Sequence, residues 1–184
     1  MMPHAYPVGT GWVEVVTGCM FSGKTEELIR RLNRATYAKQ RVVVFKPTVD
    51  DRYAVDAVVS HSSQRFDCIP VRRASEILAR VGDAQVVGID EAQFFGEDLV
   101  EVCEQLANDG VRVVVAGLDQ DYRGRPFAPM PHLLAVSEYI TKTHAVCVVC
   151  GAPANRSQRL IDRDGQVLLG ATDTYEARCR LHFD

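Results

Sequence analysis

Apolar residues along this chain fall into short unbroken runs separated by stretches of helical period. Trp12 to Thr17 (WVEVVT), Arg41 to Pro47 (RVVVFKP), Gln85 to Asp90 (QVVGID) and Val111 to Gly117 (VRVVVAG) are β-branched runs of strand length. They are nearly continuous rather than alternating, as parallel strands covered on both faces are. Between them, Glu26 to Leu32, Ala74 to Arg80 and Leu99 to Ala107 carry apolar residues at helical spacing, with Ile77 and Leu78 inward in the second. Ile69-Pro70-Val71 reads as a short edge strand, and Pro47 closes the second long strand because it cannot extend a ladder. The alternation predicts a parallel α/β sheet with right-handed crossovers and helices on both faces. Thr48 to Arg65 is polar and without period, the mark of a mobile and sometimes functional loop. There is no internal repeat and no low-complexity segment.

Composition narrows the class. With 184 residues, 47% hydrophobic and 24% charged, the chain suits one soluble domain with a real core and room for a small appendage. A net charge of −3 offers no basic field for a nucleic-acid backbone. No apolar run reaches the roughly 18–20 residues of a membrane span, and Met1 to Gly9 lacks the features of a signal peptide. A cytoplasmic location is the expectation. In that reducing compartment the six cysteines do not form a disulfide framework by default; Cys19, Cys68 and Cys103 read as small buried or loop residues.

Between the first strand and the first helix stands Gly18-Cys19-Met20-Phe21-Ser22-Gly23-Lys24-Thr25, which fits G-x-x-x-x-G-K-[ST] at every fixed position. In the strand–loop–helix context, N–H groups of the loop and of the first helical turn point at phosphate oxygens. Lys24 then reaches the β- and γ-phosphates, and the Thr25 hydroxyl ligates magnesium. The chain is expected to bind ATP.

A second cluster, Asp90-Glu91-Ala92-Gln93-Phe94-Phe95, follows the third long strand. Ligands of open α/β sheets bind beyond the carboxyl ends of strands, where both acids fall. Asp90 suits the magnesium ion, and Glu91 is then free to accept a proton from an attacking hydroxyl. The D-E-A-Q string also resembles the motor motif of helicase ATPases. Such a motor needs two lobes of domain size and a basic stripe, and this chain has room for one lobe and carries no stripe.

The third cluster is Cys147-Val148-Val149-Cys150 and, after the 28 residues 151–178, Cys179-Arg180-Leu181-His182. A C-x-x-C and a C-x-x-H pair around a loop form a closed tetrahedral zinc site, structural because no coordination position is left open. Gly151 suits the tight turn of a zinc knuckle. A zinc-ribbon module that binds a protein or nucleic acid is the alternative for this tail. With a separate core in the sheet, loss of the metal is expected to release the tail while ATP binding stays largely intact.

The order T-G-C-M-F-S-G-K-T, F-K-P, D-D-R-Y, a histidine after a serine, I-D-E-A-Q-F-F, G-L-D-Q-D-Y-R-G-R-P-F, C-x-x-C, L-L-G-A-x-x-x-Y and C-x-x-H closely resembles one family. It is the thymidine kinase family of the human cytosolic and bacterial type, distinct from the herpesviral and mitochondrial deoxynucleoside kinases. The resemblance runs from about Gly11 to His182.

That resemblance implies transfer of the γ-phosphoryl group of ATP to the 5′-hydroxyl of thymidine, and of deoxyuridine. It assigns Gly18 to Thr25 to ATP, Asp90 and Gln93 to the magnesium-nucleotide site, and Glu91 to the base, with Asp50, Asp51 and Arg52 in a further nucleotide segment. Met20, Phe94, Leu118, Tyr122 and Phe127 match positions at the thymine pocket. The loop between the zinc pairs would fold over the base as a lasso, the backbone of Gln166, Val167, Leu168, Leu169 and Gly170 bonding thymine with Tyr175 beside it. Ser157 stands where many relatives have threonine, and His182 where the animal enzymes have cysteine. The implied organisation is an ATP-binding core over residues 1–140 and a zinc-ribbon and lasso domain over 141–184. The implied assembly is a homotetramer inhibited by thymidine triphosphate.

Overall fold

A computed structural model describes residues 9–48, 57–59, 65–161 and 174–184. Six parallel strands form the main sheet: β1 (Trp12–Thr17), β2 (Val42–Pro47), β5 (Ile69–Val71), β6 (Val86–Ile89), β7 (Arg112–Gly117) and β8 (Tyr139–Lys142). Their order is β5-β2-β6-β7-β1-β8. All carboxyl ends therefore lie on one side, with β7 between β1 and β6. The four long apolar runs are the four central strands, and Ile69–Val71 lies at the edge as expected.

Alternate side chains of each central strand go to opposite faces. Val13 and Val15 of β1, Val87 and Ile89 of β6, and Val113 and Val115 of β7 join one buried cluster. They pack there with Ile77 of α2 (Ser75–Arg80), Leu99, Val102, Cys103 and Leu106 of α3 (Asp98–Asn108), and Met130 and Leu133 of α4 (Met130–Val136). Val16, Val86, Val114 and Ala116 face Leu28, Ile29, Leu32 and Ala35 of α1 (Lys24–Tyr37). Leu28, Ile29 and Leu32 are fully buried, each contributing about 1.5–3 kcal/mol of transfer free energy. Gly88 permits this approach, since a Cβ there would lie 2.7 Å from Leu32 Cδ1.

Three features depart from the sequence reading. The Thr48–Arg65 stretch is not irregular throughout: β3 (Ala57–Val59) pairs antiparallel with β4 (Arg65–Asp67). α4 and β8 have no counterpart in the expected elements; β8 is an edge strand, largely exposed, and so carries no buried run to read. β8 also runs through residue 140, where the division of the chain was expected. Beyond it lie two small antiparallel pairs: β9 (Ala145–Val146) with β10 (Pro153–Ala154), and β11 (Arg156–Arg159) with β12 (Tyr175–Arg178). No helix among the described residues is long and apolar enough to cross a membrane.

A buried carboxylate ties α1 to the sheet. Glu14 Oε1 accepts from Trp12 Nε1 (2.7 Å) and Arg112 Nε (2.6 Å), and Oε2 accepts from Arg31 Nη1 of α1 (2.8 Å). Arg31 also donates to Glu27 Oε1 and to Thr141 Oγ1 of β8, each at 2.8 Å. Burial pushes the Glu14 carboxyl up, but the hydrogen bonds from Arg112 and Trp12 and the charges of Arg112 and Arg31 outweigh it and hold it below the usual value. The folded pKa thus lies below the unfolded one. The stabilisation is complete above the unfolded pKa and is lost as pH falls through the folded value. Glu14→Gln is expected to cost about 3 kcal/mol, since it leaves Arg112 without its carboxylate. In urea unfolding followed from pH 7 to pH 3, the variant should lose less stability on acidification than the wild type; parallel pH profiles would remove Glu14 from this role.

Candidate active site

The phosphate loop leaves β1 at Thr17 and enters α1 at Lys24. Its backbone takes the left-handed region at Gly23 (φ 82°) and at a non-glycine residue, Phe21 (φ 64°). Such a backbone cannot stay open unaided, and three sets of contacts brace it. Gly117 O accepts from the Thr17 hydroxyl (3.0 Å), and Thr17 O accepts from the N–H (2.8 Å) and hydroxyl (3.0 Å) of Thr143, just after β8. Ser22 Oγ donates to Cys19 O (2.7 Å) and lies 2.8 Å from Thr143 Oγ1. From the far side, Ser157 Oγ accepts the Met20 N–H (3.0 Å), and Ala154 O lies 3.3 Å from Cys19 Sγ. Ser157 is in β11 and Ala154 in β10, so the tail holds the loop open.

Lys24 Nζ donates to Cys19 O (2.8 Å). Burial lowers its pKa, opposed chiefly by the charge of Glu91 and further by those of Asp90 and Asp119. Asp90 follows β6 and reaches α1 across the end of β7. Its Oδ2 accepts from Thr25 Oγ1 (3.3 Å) and its Oδ1 from the Glu91 N–H (3.0 Å). Burial first, and then the charge of Glu91, push the Asp90 carboxyl up. A buried carboxylate facing a threonine hydroxyl is an all-oxygen donor set that fits magnesium.

Glu91 is exposed, with φ 53°, a strained backbone for a glutamate. Gln93, in the short 3-10 turn Ala92–Phe94, holds it: Nε2 donates to Glu91 Oε2 (2.5 Å) while Oε1 accepts the Leu118 N–H (3.0 Å). Both ends of that amide are thereby engaged. Gly117 leaves room for it, since a Cβ there would lie 3.1 Å from Gln93 Oε1.

The pocket residues expected from the resemblance lie on the loops at this end of the sheet. Phe94 and Phe127 meet edge to face with centroids 6.4 Å apart. Leu118 opens the loop after β7. Within it, Asp121 Oδ1 accepts the N–H groups of Arg123 (2.9 Å) and Arg125 (3.0 Å), and Asp119 O accepts the Phe127 N–H (3.0 Å). Tyr122 is half-buried, and Tyr175 is buried at the start of β12. Asp50, Asp51, Arg52 and Gln166 to Gly170 lie outside the described residues.

Sequence reasoning missed Thr143, Asp119, Lys142 and Arg159. Lys142 Nζ stands 2.6 Å from Asp119 Oδ2. That ion pair joins the ends of β8 and β7, the two neighbours of β1, across the start of the phosphate loop. Thr143, Lys142 and Arg159 carry no motif, and Asp119 lies in the G-L-D-Q-D-Y-R segment without an assigned role; the strand order puts Asp119, Lys142 and Thr143 at the loop.

The four residues of the third cluster converge. Cys147 Sγ, Cys150 Sγ, Cys179 Sγ and His182 lie with their ligand atoms within 4.8 Å of one another. Cys150 and Cys179 sulfurs are 3.7 Å apart, and His182 Nδ1 is 3.2 Å and 3.8 Å from the sulfurs of Cys179 and Cys147. A tetrahedron with Zn–S of about 2.3 Å has S···S edges of about 3.8 Å, so the residues fit structural zinc. Against this centre packs a small cluster of Cys19, Ala145, Cys147, Ala154 and Ala177, with Phe21 and Cys179 at its margin. Two phosphate-loop side chains are thus part of the core of the tail. Cys19, Cys68 and Cys103 are buried, as expected, and burial pushes the Cys103 thiol up to about 12.

A glycine loop joining a central parallel strand to a helix, with a carboxylate two strands away facing its threonine, defines the class of phosphate-loop nucleoside-triphosphate enzymes. Residues 11–183 match the family model described as thymidine kinase. Over 173 residues the chain is 63% identical to the thymidine kinase of Rhodothermus sp. (strain ITI 518), covering 94% of this chain and 81% of that protein. It is 56% identical over 184 residues to the thymidine kinase of Bdellovibrio bacteriovorus (strain ATCC 15356), covering all of this chain and 90% of that one. The chain belongs to the thymidine kinase family.

The bracing of the loop from the tail revises the expected effect of metal loss. With the zinc removed by chelator, the main unfolding transition should persist, because the two faces of the sheet bury their own core. The Ser157–Met20 and Cys19–Ala154 contacts should fail together, and affinity for a non-hydrolysable ATP analogue should fall about fivefold or more, about 1 kcal/mol. Calorimetric titration of the metal-free sample, after counting one zinc per chain in the starting protein, tests this; unchanged ATP-analogue affinity would mean that the loop stands without the tail.

Proposed function

We propose that this chain transfers the γ-phosphoryl group of ATP to the 5′-hydroxyl of thymidine, and of deoxyuridine, supplying thymidine monophosphate by salvage. One observation carries the residue assignment. Lys24, the Thr25–Asp90 pair and Glu91 converge at the carboxyl ends of three neighbouring strands, beside the Phe94–Phe127 pair.

Phosphoryl transfer leaves the protein little covalent work and demands position and charge. N–H groups of the Gly18 to Thr25 loop other than that of Met20, which Ser157 takes, cradle the phosphates, and Lys24 leaves Cys19 O to meet the β- and γ-oxygens. Magnesium, when bound, draws charge from those oxygens; Thr25 and Asp90 would hold it. Glu91 accepts the 5′-hydroxyl proton, with Gln93 fixing one carboxylate oxygen and leaving the other for the acceptor. Gln93 thus acts through Glu91, one remove from the nucleotide site to which it was first assigned.

Met20, Phe94, Leu118, Tyr122, Phe127, Ser157 and Tyr175 form the thymine pocket in this reading. On the resemblance alone, Gln166 to Gly170 bond the base and Asp50 to Arg52 attend the nucleotide. The chain divides near residue 140 into an ATP-binding core and a zinc-held tail, acts as a cytoplasmic homotetramer, and is inhibited by thymidine triphosphate.

Glu91→Gln keeps the shape and loses the basicity, so kcat should fall about 100- to 10,000-fold with little change in the KM for ATP. A kcat within threefold of wild type would take the base role from Glu91. Lys24→Ala should abolish transfer to thymidine while the circular dichroism and zinc content stay those of wild type; turnover retained at saturating ATP would sink the phosphate-loop assignment.

A further inference from the structure

Arg159, in β11, touches both pocket tyrosines and belongs to no motif. Its guanidinium carbon lies 3.5 Å from the centroid of the Tyr122 ring and 5.5 Å from that of Tyr175. Nη2 donates to the Tyr175 hydroxyl at 3.0 Å, and in the β11–β12 ladder Arg159 stands directly opposite Tyr175. Tyr122 comes from the loop after β7, whereas Tyr175 comes from the zinc-held tail. The guanidinium therefore joins two separately built walls. Arg123 grips Tyr122 from its other end, donating from Nε to the hydroxyl at 2.8 Å.

Only a flat cation does both things at once. A guanidinium presents its face to one ring while an in-plane N–H reaches the hydroxyl of the other; an ammonium is a point charge and cannot. The neighbouring residues of the strand turn elsewhere: Ser157 accepts the Met20 N–H, and Arg156 donates to Gln120 Oε1 and lies over the Phe183 ring. β11 thus spends one residue on the phosphate loop and another on the two tyrosines.

We propose that Arg159 is a positioning residue of the nucleoside pocket, setting the distance and tilt between Tyr122 and Tyr175 and hence the affinity for the nucleoside and not for ATP. The proposal rests on the assignment of those tyrosines to the thymine pocket.

The experiment is steady-state kinetics of the zinc-loaded full chain, varying thymidine and ATP separately, for wild type, R159K and R159M, with thermal unfolding and zinc content on each sample. Both variants should raise the KM for thymidine at least tenfold, with kcat within threefold, the KM for ATP within twofold, and the unfolding midpoint and zinc content unchanged. R159K should fare no better than R159M, since the planar stack and not the charge is what they lack. Tyr122→Leu in the R159M background should add little to the KM of R159M alone. A thymidine KM within twofold of wild type in R159M, or full rescue by R159K, overturns the proposal. So does a parallel rise of both KM values with a lowered unfolding midpoint, which marks a mere staple between two parts of the fold. If R159M does not fold, the thymidine and ATP KM values of R159K decide by the same thresholds. Wild-type protein that turns over ATP with no thymidine acceptor would instead overturn the parent reading, and this one with it.

Discussion

A loop that leaves most of its N–H groups free to face a ligand cannot rely on them for its own fold. The stretch from Gly18 to Thr25 meets this constraint by taking its support from outside: from Gly117 and Thr143 at the ends of the two flanking strands, and from Ala154 and Ser157 in the tail. Left-handed backbone at Phe21 and Gly23 persists because those contacts over-determine it. The side chains of Cys19 and Phe21, at positions the motif leaves open, are used to anchor the loop. Everything else in the site is placed relative to this frame.

Charge is the second organising factor. Asp90 is buried and Lys24 half-buried, and the desolvation each suffers pushes it in the direction of neutrality. Their mutual attraction, with Glu91 as a further acid, keeps the cluster together, while the Thr25–Asp90 contact leaves a donor pair suited to a hard dication. Glu91 is held apart from this burial by its own left-handed backbone and by Gln93, an arrangement consistent with one acid serving the metal and the other the acceptor.

Among the described residues, the tail buries only a small core of its own. That cluster is mostly alanine and cysteine, and zinc at the Cys147, Cys150, Cys179 and His182 site would supply the cross-link that so small a core needs. Because that cluster includes Cys19, the zinc-held module is a wall of the site and a brace for the phosphate loop. The six-stranded sheet buries side chains of its own on both faces, with the Glu14 network tying α1 to it.

What the sequence by itself determined is local or covalent in origin. Unbroken β-branched runs mark buried strands because both faces are covered; the G-x-x-x-x-G-K-[ST] spacing marks the loop because only that backbone fits phosphate; and the C-x-x-C and C-x-x-H pairs mark zinc because each pair can share an ion. That Asp90 and Glu91 stand at the carboxyl end of a strand was legible from the run that precedes them. What only the tertiary structure decided depends on strand order and on contacts across long separations. Nothing in the chain says that β7 and β8 flank β1, so the roles of Asp119, Lys142 and Thr143 were invisible. β8 itself, exposed at an edge, has no hydrophobic period to betray it. Arg159 looks like any surface arginine until β11 and β12 pair and bring Tyr122 and Tyr175 to its guanidinium. A motif records chemistry that one segment performs alone; cooperation between segments is written only in the fold.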